Sequence, residues 1–412
     1  MIYGCIGEKL SHSFSKEIHT KVADYDYELC EIKREDLASF FSTADFRAIN
    51  VTIPYKEEVI PYLHEIDSHA LEIGAVNTVV NRDGKLYGYN TDFFGMSALI
   101  ERCGVSLFEK KVAILGTGGT SRTAAAVARS MGAKDIIRVS RSKRDGTVTY
   151  PELYGDHTDT EVIINTTPVG MYPENGGNSC DISHFPRLAL CIDAVYNPLR
   201  SRFILSTKER NIPAEGGLYM LVAQAVRASE IFLGKAYAPD IIELIYNAIL
   251  SEKENTVLIG MPASGKSTVG GIISRTTKKE LIDTDELIVK KAGVQIKEIF
   301  DKIGECGFRD LESAAVAEAS KQTSVIIATG GGAILREENV RALKQNGRLF
   351  FIDRPLKDLV PTESRPLSSN INDLEKRFYE RYPIYTSVCD EKIDADGDAA
   401  TVARLIMEKK AL

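Results

Sequence analysis

The chain lacks three features that would assign it to a membrane or to nucleic acid: a long hydrophobic run, a basic N-terminal region and an excess of positive charge. A membrane-spanning helix needs about 20 consecutive apolar residues, and no run approaches that length. The N-terminus looks like a strand rather than a signal peptide. The formal net charge of −7 argues against nucleic acid or an anionic membrane as the main partner. We therefore expect small-molecule partners and a cytoplasmic location.

Paired cysteines are also missing. The seven cysteines are an odd number, and no C-x-x-C pair occurs. This pattern predicts free thiols in a reducing compartment and argues against a zinc site. With 412 residues, 44% of them hydrophobic and 26% charged, the chain has the composition of a soluble protein of two or three domains.

The strongest motif that is present lies about three-fifths of the way along the chain. Residues 260–268 read G-M-P-A-S-G-K-S-T and fit the phosphate-binding pattern G-x-x-x-x-G-K-[ST]. Residues 256–259 before the motif read as a buried strand, and residues 268–275 after it read as a helix. Such a loop binds the phosphates of ATP with its backbone N–H groups, while its lysine bridges the β- and γ-phosphates and its hydroxyl holds Mg²⁺. The residues predicted to bind ATP are Ala263, Ser264, Gly265, Lys266, Ser267 and Thr268, with Lys266 catalytic.

A P-loop domain normally begins at the strand before its P-loop, yet some 250 residues precede this one. The chain is therefore predicted to be two proteins in series. The alternative is that the motif is a chance glycine- and serine-rich loop.

Polar groups follow several predicted strands in the first 95 residues. In S-H-S-F-S, the hydroxyls of Ser11, Ser13 and Ser15 either cap the next helix or bind a carboxylate at its N-terminus. A second segment, N-V-T-I-P-Y-K, predicts a strand that turns at Pro54 into a helix. Its lysine, Lys56, is either a solvated charge or a group held over a pocket. With G-A-V-N-T and N-T-D further on, these residues predict a site for a polyhydroxylated molecule.

These four motifs, in this order and spacing, resemble the shikimate dehydrogenase family. The resemblance implies that Ser13 and Ser15 bind the substrate carboxylate and that Lys56 and Asp92 form the catalytic pair. It also implies substrate contacts from Thr52, Asn77, Asp92, Tyr196 and Gln224. A proton-transfer pair suits the chemistry, because interconverting an alcohol and a ketone moves a proton at oxygen as a hydride moves at carbon.

A glycine-rich turn after the strand at 111–115 is a variant of the dinucleotide fingerprint. After the following strand, residues 140–144 read S-R-S-K-R. An NAD site usually carries an acidic residue there, whereas basic residues suit the 2′-phosphate of NADP. The alternative is a solvated basic loop. The residues predicted to bind NADPH are Gly116, Thr117, Gly118, Gly119, Thr120, Ser140, Arg141, Ser142, Arg144 and, by resemblance, Gly217.

Three motifs after the P-loop resemble shikimate kinase: L-I-D-T-D at 281–285, G-F-R-D-L-E at 307–312, predicted to start a helix, and A-T-G-G-G at 328–332. The resemblance places Asp283 near Mg²⁺ together with Ser267. It places Asp285, Arg309, Gly331 and Arg381 on shikimate, and Arg365, in a lid segment, on the ATP phosphates. The alternative, when the motif is read without the resemblance, is that Arg309 and Glu312 form only an ion pair on a helix face.

The fold class expected from these resemblances is α/β throughout. A two-domain dehydrogenase would combine a substrate domain, residues 1–95 with 217–250, and an NADP-binding Rossmann domain, residues 96–216. A linker at 251–254 would lead to a P-loop domain at 255–412, similar to nucleoside monophosphate kinases, with a parallel sheet.

The resemblances imply a bifunctional enzyme of aromatic amino-acid biosynthesis. NADPH would reduce 3-dehydroshikimate to shikimate, which MgATP would then phosphorylate on its 3-hydroxyl. One alternative is a quinate/shikimate dehydrogenase joined to a kinase for another small alcohol, and another is a second half that only senses nucleotide. A homodimer is left open.

Overall fold

The computed structural model describes residues 2–10, 13–359 and 371–411. The chain divides into two compact units, Met1–Ile249 and Leu250–Leu412. Both are α/β, as predicted, and within the described residues no helix has the length and apolarity needed to cross a membrane.

The strands of the first unit are β1 (Tyr3–Gly7), β2 (Tyr27–Glu31), β3 (Ala48–Val51), β4 (Glu65–Ile66), β5 (Thr78–Arg82), β6 (Lys85–Tyr89), β7 (Lys111–Leu115), β8 (Asp135–Ser140), β9 (Val148–Thr149), β10 (Val162–Asn165), β11 (Leu190–Asp193) and β12 (Ala214–Glu215). Its helices are α1 (Ser15–Val22), α2 (Leu37–Thr43), α3 (Ser68–Ile73), α4 (Thr91–Arg102), α5 (Gly119–Ser130), α6 (Tyr150–Asp156), α7 (Arg202–Glu209), α8 (Leu218–Leu233) and α9, which begins at Ile241 and ends at Lys253.

The second unit contains strands β13 (Asn255–Ile259), β14 (Leu281–Asp283), β15 (Ile326–Ala328), β16 (Gly347–Asp353) and β17 (Glu391–Asp394). Its helices are α10 (Lys266–Thr277), α11 (Thr284–Ala292), α12 (Ile296–Lys321), α13 (Glu337–Asn346), α14 (Ile371–Val388) and α15 (Ala399–Ala411). Short 3₁₀ turns lie at Arg34–Asp36, Ile60–Tyr62, Ile182–His184, Ala333–Leu335 and Leu356–Asp358.

Two six-stranded sheets form the first unit. One is mixed, in the order β2-β1-β3-β5-β6-β4, with β5 antiparallel to both neighbours. The other is parallel, in the order β12-β11-β10-β7-β8-β9, which is the strand order of a Rossmann dinucleotide-binding sheet. The sheet of the second unit is five-stranded and parallel, in the order β14-β15-β13-β16-β17. The P-loop therefore follows a central strand.

The apolar residues of the Rossmann strands alternate between two cores. Val112, Ile114 and Ile164 pack on one face with α4 and α5, and Ala113 and Ile163 face the other. The central strands β7, β10 and β11 are buried on both sides and read as nearly continuous apolar runs. Polar groups are therefore confined to the strand ends, where parallel sheets bind ligands.

Two local expectations differ from the structure, and a third is incomplete. The residues after Pro54 form consecutive turns rather than a helix, because their hydrogen bonds mix i+3 and i+4 spacing. Residues 251–253 are the last turn of α9, so the predicted linker is helical and leads directly into β13. The helix predicted to start at Gly307 follows a non-helical break at Gly304, where φ is 69°, and a further helical segment, included in α12, precedes that break from Ile296.

Candidate active sites

Lys56 and Asp92 meet in the first unit. Lys56 lies in the turns after β3, and Asp92 lies in the first turn of α4, where the helix dipole favours a carboxylate. Lys56 Nζ and Asp92 Oδ2 are 2.6 Å apart, and their side chains are 22% and 11% exposed. Partial burial reduces the screening of this ion pair by water and strengthens the interaction, while the remaining exposure leaves the pair accessible to a ligand.

A chain of neutral hydrogen bonds lies beside this pair. Asn77 contacts Thr91 through both amide atoms: its Oδ1 accepts from the Thr91 backbone N–H at 2.7 Å, and its Nδ2 donates to Thr91 Oγ1 at 3.1 Å. Thr91 Oγ1 in turn donates to Gln224 Oε1 at 3.3 Å. Asn77, Thr91 and Gln224 are all buried, so their amide and hydroxyl groups are held in fixed orientations.

A second layer supports Asn77 from beneath. Asn50 Nδ2 donates to the backbone oxygen of Asn77 at 3.2 Å and to Thr78 Oγ1 at 3.1 Å, and Asn50 Oδ1 accepts from Tyr27 at 2.7 Å. Asn50 and Thr91 were not singled out from the sequence, although both lie in the quoted motifs. Their position directly beside Thr52 or Asp92 was the available signal.

The serine loop lies at the start of α1. Ser13 Oγ accepts from the Ser15 backbone N–H at 3.2 Å, and the two hydroxyls are 2.9 Å apart. Because the N-cap residue, Phe14, makes no side-chain capping hydrogen bond, this contact satisfies only the first N–H of α1 and leaves both hydroxyls able to bind a carboxylate. Between them, Phe14 packs edge-on against Tyr196 with ring centroids 5.3 Å apart. This contact brings the serine loop to the end of β11, whereas Ser11 lies outside the described residues.

Thr52 also belongs to this part of the unit. It follows β3, and its backbone N–H donates to the Ile6 carbonyl at 3.0 Å. A Cβ added at Gly7 would lie 2.7 Å from Thr52 Cγ2. Gly7 therefore leaves room for the Thr52 side chain at the end of two adjacent strands.

The glycine-rich turn after β7 has the geometry of a dinucleotide cradle. Gly116 has a φ of 113°, and its carbonyl accepts from Ser121 Oγ at 2.7 Å. Gly118 is the N-cap of α5. A side chain at Gly118 or Gly119 would meet no described atom within 4 Å, so the backbone lies open to a pyrophosphate. Thr117 and Thr120 lie in the same turn, and these residues suit NADPH.

The basic turn after β8 reaches back to the glycine-rich turn. Arg144 Nη1 donates to Thr117 Oγ1 at 3.3 Å. Arg141 and Ser142 are exposed, and Ser140 is buried at the strand end. A cavity of about 470 Å³ is lined by residues 136–138 and 143–148.

Gly217 fills a position where backbone approaches backbone. A Cβ there would lie 2.3 Å from the Ala194 carbonyl oxygen, and the Gly217 N–H donates to the Val195 carbonyl at 2.9 Å. Glycine thus allows the start of α8 to pack against the segment that leads to Tyr196.

The P-loop depends on two glycines in the second unit. Gly260 and Gly265 have φ values of 150° and 92°, which strain any other residue. Lys266 Nζ donates to the carbonyls of Gly260 and Met261, both at 2.8 Å. The ammonium thus lies inside the loop formed by residues 260–265, at the N-terminus of α10. Ala263 and Thr268 lie in the loop and the first turn of α10.

Ser267 and Asp283 form the candidate Mg²⁺ site. Ser267 Oγ donates to Asp283 Oδ2 at 2.6 Å, and Asp283 Oδ1 caps α11 through the N–H groups of Asp285 and Glu286. The described residues contain no cluster of three metal-ligating side chains. One hydroxyl and one carboxylate suit Mg²⁺, because this ion keeps several waters and takes other oxygens from substrate phosphates.

A glycine run after β15 gathers the remaining predicted groups. A Cβ at Gly330 would lie 2.6 Å from Asp285 Oδ1 and 2.7 Å from Glu312 Oε1. At Gly332 it would lie 1.9 Å from Arg309 Nη1. Arg381 Nη1 donates to the Gly331 carbonyl at 3.1 Å. The run therefore brings Asp285, Arg309 and Arg381 to one place.

The ion pair between Arg309 and Glu312 is present. Their nearest atoms are 2.6 Å apart, and Glu312 is only 1% exposed. Burial raises the pKa of Glu312, against the opposing effect of Arg309. A guanidinium has five N–H donors, so this contact fixes Arg309 in place and leaves donors for a ligand. Arg365, predicted on the ATP phosphates, lies outside the described residues.

Comparison with known proteins gives a consistent result for both units. Residues 5–79 match the family model of the shikimate dehydrogenase substrate binding domain, and residues 262–410 match that of shikimate kinase. A shikimate dehydrogenase (NADP⁺) of Clostridium perfringens is 36% identical over 266 residues, covering 60% of this chain and 98% of the relative.

Solved structures agree over the same region. A chorismate mutase/shikimate 5-dehydrogenase fusion protein from Clostridium acetobutylicum has a TM-score of 0.58 at 34% identity, covering 60% of this chain and 96% of that one. A shikimate 5-dehydrogenase from Thermus thermophilus in complex with NADP(H) and shikimate has a TM-score of 0.55 at 26% identity, covering 60% and 99%.

Fold and sites together define a dinucleotide-dependent reductase followed by a P-loop phosphotransferase. The chain belongs to the shikimate dehydrogenase family, and its second unit carries a shikimate kinase domain.

Proposed function

We propose that the chain reduces 3-dehydroshikimate to shikimate with NADPH and then phosphorylates shikimate with MgATP. One observation carries this proposal: a single chain holds the groups for two reactions in which the product of the first is the substrate of the second. The Lys56–Asp92 pair belongs to the first site, and the P-loop with Arg309 and Arg381 belongs to the second.

In the reductase, the Lys56–Asp92 pair handles the proton. Bound NADPH supplies the hydride that reaches the carbonyl carbon. Lys56 Nζ donates a proton to the ketone oxygen as the C=O bond becomes a C–O single bond, and Asp92 stabilises the charged ammonium before transfer. A proton from solvent then restores Lys56.

The neutral groups around the pair position the ring. Ser13 and Ser15 bind the substrate carboxylate, and Thr52, Asn77 and Gln224 bind hydroxyls. Tyr196 closes the site beside Phe14. Hydrogen bonds to Thr91 already orient the side chains of Asn77 and Gln224. Substrate binding therefore costs little conformational entropy at these two residues.

The cofactor is held by the glycine-rich turn, the basic turn and Gly217. Open backbone at Gly118 and Gly119 takes the pyrophosphate, and Arg141 and Arg144 bind the 2′-phosphate, with Ser140 and Ser142 beside them.

In the kinase, the chain places charge around the transferred phosphoryl group. Lys266 moves from the Gly260 and Met261 carbonyls to the β- and γ-phosphates. Ser267 and Asp283 hold Mg²⁺, which neutralises phosphate charge when bound. Arg309 and Arg381 bind the shikimate carboxylate, and Asp285 and the Gly331 backbone bind and orient its hydroxyls.

The proposal includes the domain limits predicted from the sequence. It also includes a cytoplasmic location and the absence of a nucleic-acid or membrane partner, and it leaves a homodimer open. All seven cysteines are free thiols, which suits a reducing compartment. Separate expression of residues 1–250 and of a fragment that begins near Glu252 tests the limits, because each piece should retain its own activity.

Two assays on the whole chain test the activities. NADPH oxidation should require 3-dehydroshikimate, and ADP release should require shikimate. Oxidation of quinate with NAD⁺ that is faster than oxidation of shikimate with NADP⁺ would favour a quinate/shikimate dehydrogenase. ATP binding without ADP release in the presence of shikimate would favour a nucleotide sensor.

A further inference from the structure

An arginine that no motif singles out lies beside the P-loop. Arg354 follows β16 directly, and β16 pairs in parallel with β13, with Phe351 opposite Ile259. The carboxyl ends of both strands therefore lie at the same edge of the sheet. Arg354 therefore follows the strand next to β13, the strand that leads into the P-loop at Gly260.

The guanidinium of Arg354 touches the P-loop backbone. Its Nε donates to the Ser264 carbonyl at 3.3 Å, and its Nη2 lies 3.9 Å from the place a Cβ would occupy on Gly265. Gly265 is the N-cap of α10. The side chain is half-buried, so its position is defined while part of the guanidinium faces solvent.

The charge of Arg354 has no counterion in the described part of the chain. The neighbouring carboxylate of Asp353 is engaged by Lys392 at 2.7 Å and by the Tyr382 hydroxyl at 2.9 Å. Arg354 forms no ion pair with any described residue within 4.0 Å. Two cations, Arg354 and Lys266, thus flank a helix N-terminus, an arrangement that a polyanion would stabilise.

We propose that Arg354 contacts the phosphate chain of ATP from the side of β16, opposite to the inward-facing Lys266. The inference rests on the proposed kinase function. The planar guanidinium of Arg354 can donate to two phosphate oxygens at once. Its hydrogen bond to the Ser264 carbonyl holds the guanidinium against the P-loop. Because Arg354 lies on the backbone of the loop rather than inside it, its main effect is on nucleotide binding.

The test uses the whole chain with Arg354→Gln, Arg354→Lys and the control Arg404→Gln. Arg404 is an exposed residue whose ion pair lies within α15. Calorimetry measures Kd for ATP, ADP and AMP without shikimate, and a kinase assay measures KM for ATP and kcat. Arg354→Gln should raise Kd for ATP and ADP about tenfold, with a small effect on AMP and less than about a threefold fall in kcat, as expected for loss of one charge-assisted contact.

Two results would overturn the inference. Arg354→Gln could bind ATP as tightly as Arg404→Gln, or it could lose AMP binding as strongly as ATP binding, which would place the guanidinium on the nucleoside. If Arg354→Gln lacks the thermal unfolding transitions that the unaltered chain shows by circular dichroism, it has misfolded, and Arg354→Lys then decides on the same criteria. Absence of shikimate-dependent ADP release in the unaltered chain would count against the kinase function alone, because the comparison of ATP with AMP still judges Arg354.

Discussion

The two sites solve different electrostatic problems. The reductase site has one ion pair, Lys56 with Asp92, surrounded by neutral amides and hydroxyls. The kinase site is rich in cations, and Lys266 and Arg381 lie on backbone carbonyls, whereas Arg309 is paired with a buried carboxylate. The difference follows the ligands, because one site moves a proton on a monoanion and the other must offset a polyphosphate.

The comparison also shows how each site keeps its charges in place. In the first unit, hydrogen bonds between side chains fix the polar groups, so the site is ordered by its own network. In the second, carbonyls of the glycine-rich loops accept hydrogen bonds from Lys266 and Arg381, and a carboxylate holds Arg309. We therefore expect substitutions in the kinase site to act on charge, and those in the reductase site to act on proton transfer or orientation.

The largest expected effect is that of Lys266→Ala. Loss of the ammonium removes stabilisation of charge that develops on the transferred phosphoryl group, so the kinase kcat should fall about a thousandfold. Reductase activity of the same preparation should stay within about twofold, which also serves as the control for expression. A comparable loss in both assays would contradict the assignment of Lys266 to one site.

Next in size is Lys56→Ala. The reductase kcat should fall at least about a hundredfold, the usual contribution of a positioned acid or base. KM for 3-dehydroshikimate should change less, because Ser13, Ser15 and Asn77 still hold the ligand. Kinase activity with added shikimate should be unaffected, and a near-normal reductase kcat would remove Lys56 from the mechanism.

Arg141→Ala should have a smaller effect that is confined to the cofactor. The intact chain should prefer NADPH to NADH. The substitution should raise KM for NADPH about tenfold, because the binding free energy of an exposed arginine lies at the lower end of the range for charge-assisted hydrogen bonds. KM for NADH is the internal control and should hardly move. Equal use of both cofactors by the unaltered chain would contradict the 2′-phosphate site.

The smallest effect concerns a buried carboxylate behind the reductase site. Asp193 accepts hydrogen bonds from Asn165 at 2.8 Å, Val195 at 3.0 Å and Ser201 at 2.5 Å, and burial raises its pKa to about 6. This value exceeds the ordinary 3.8, so the folded state keeps a proton that the unfolded chain releases. The stabilising contribution is complete below about pH 4 and is lost as the pH rises to about 6.

Urea unfolding of the whole chain, followed by reductase activity, measures this contribution. The free energy of unfolding of the natural chain minus that of Asp193→Asn should decrease from pH 4 to 6, by up to about 1.4 kcal/mol per pH unit. The kinase unit is the same in both proteins, so its contribution cancels in the difference between the two free energies of unfolding. A difference that stays constant across this range would rule out titration of Asp193.

The sequence was most informative where a residue type determines the backbone locally. Gly260 and Gly265 adopt conformations that other residues avoid, so the P-loop could be predicted together with its strand and helix. The i, i+3 spacing likewise made an ion pair between Arg309 and Glu312 foreseeable as an alternative, and the structure contains it. In both cases the relevant contacts are close in sequence.

Contacts between distant segments were not predictable in the same way. Arg354 reaches Ser264 across 90 positions, and Thr91 reaches Gln224 across 133, so only the folded sheet and helices bring them together. The helix predicted to start at Gly307 is present after the break at Gly304, whereas the helical segment that precedes the break from Ile296 was not predicted. The burial of Asp193 likewise depends on the whole Rossmann sheet and is not visible in the local sequence.

The central claim is that one chain performs two consecutive reactions at separate sites. It is tested most directly by supplying 3-dehydroshikimate, NADPH and MgATP without shikimate. The unaltered chain should form shikimate 3-phosphate, Lys56→Ala should release ADP at least about a hundredfold more slowly, and Lys266→Ala should accumulate shikimate. A mixture of the two variants should restore the phosphorylated product. NADPH consumption without ADP release by the unaltered chain, or failure of the mixture, would contradict the claim.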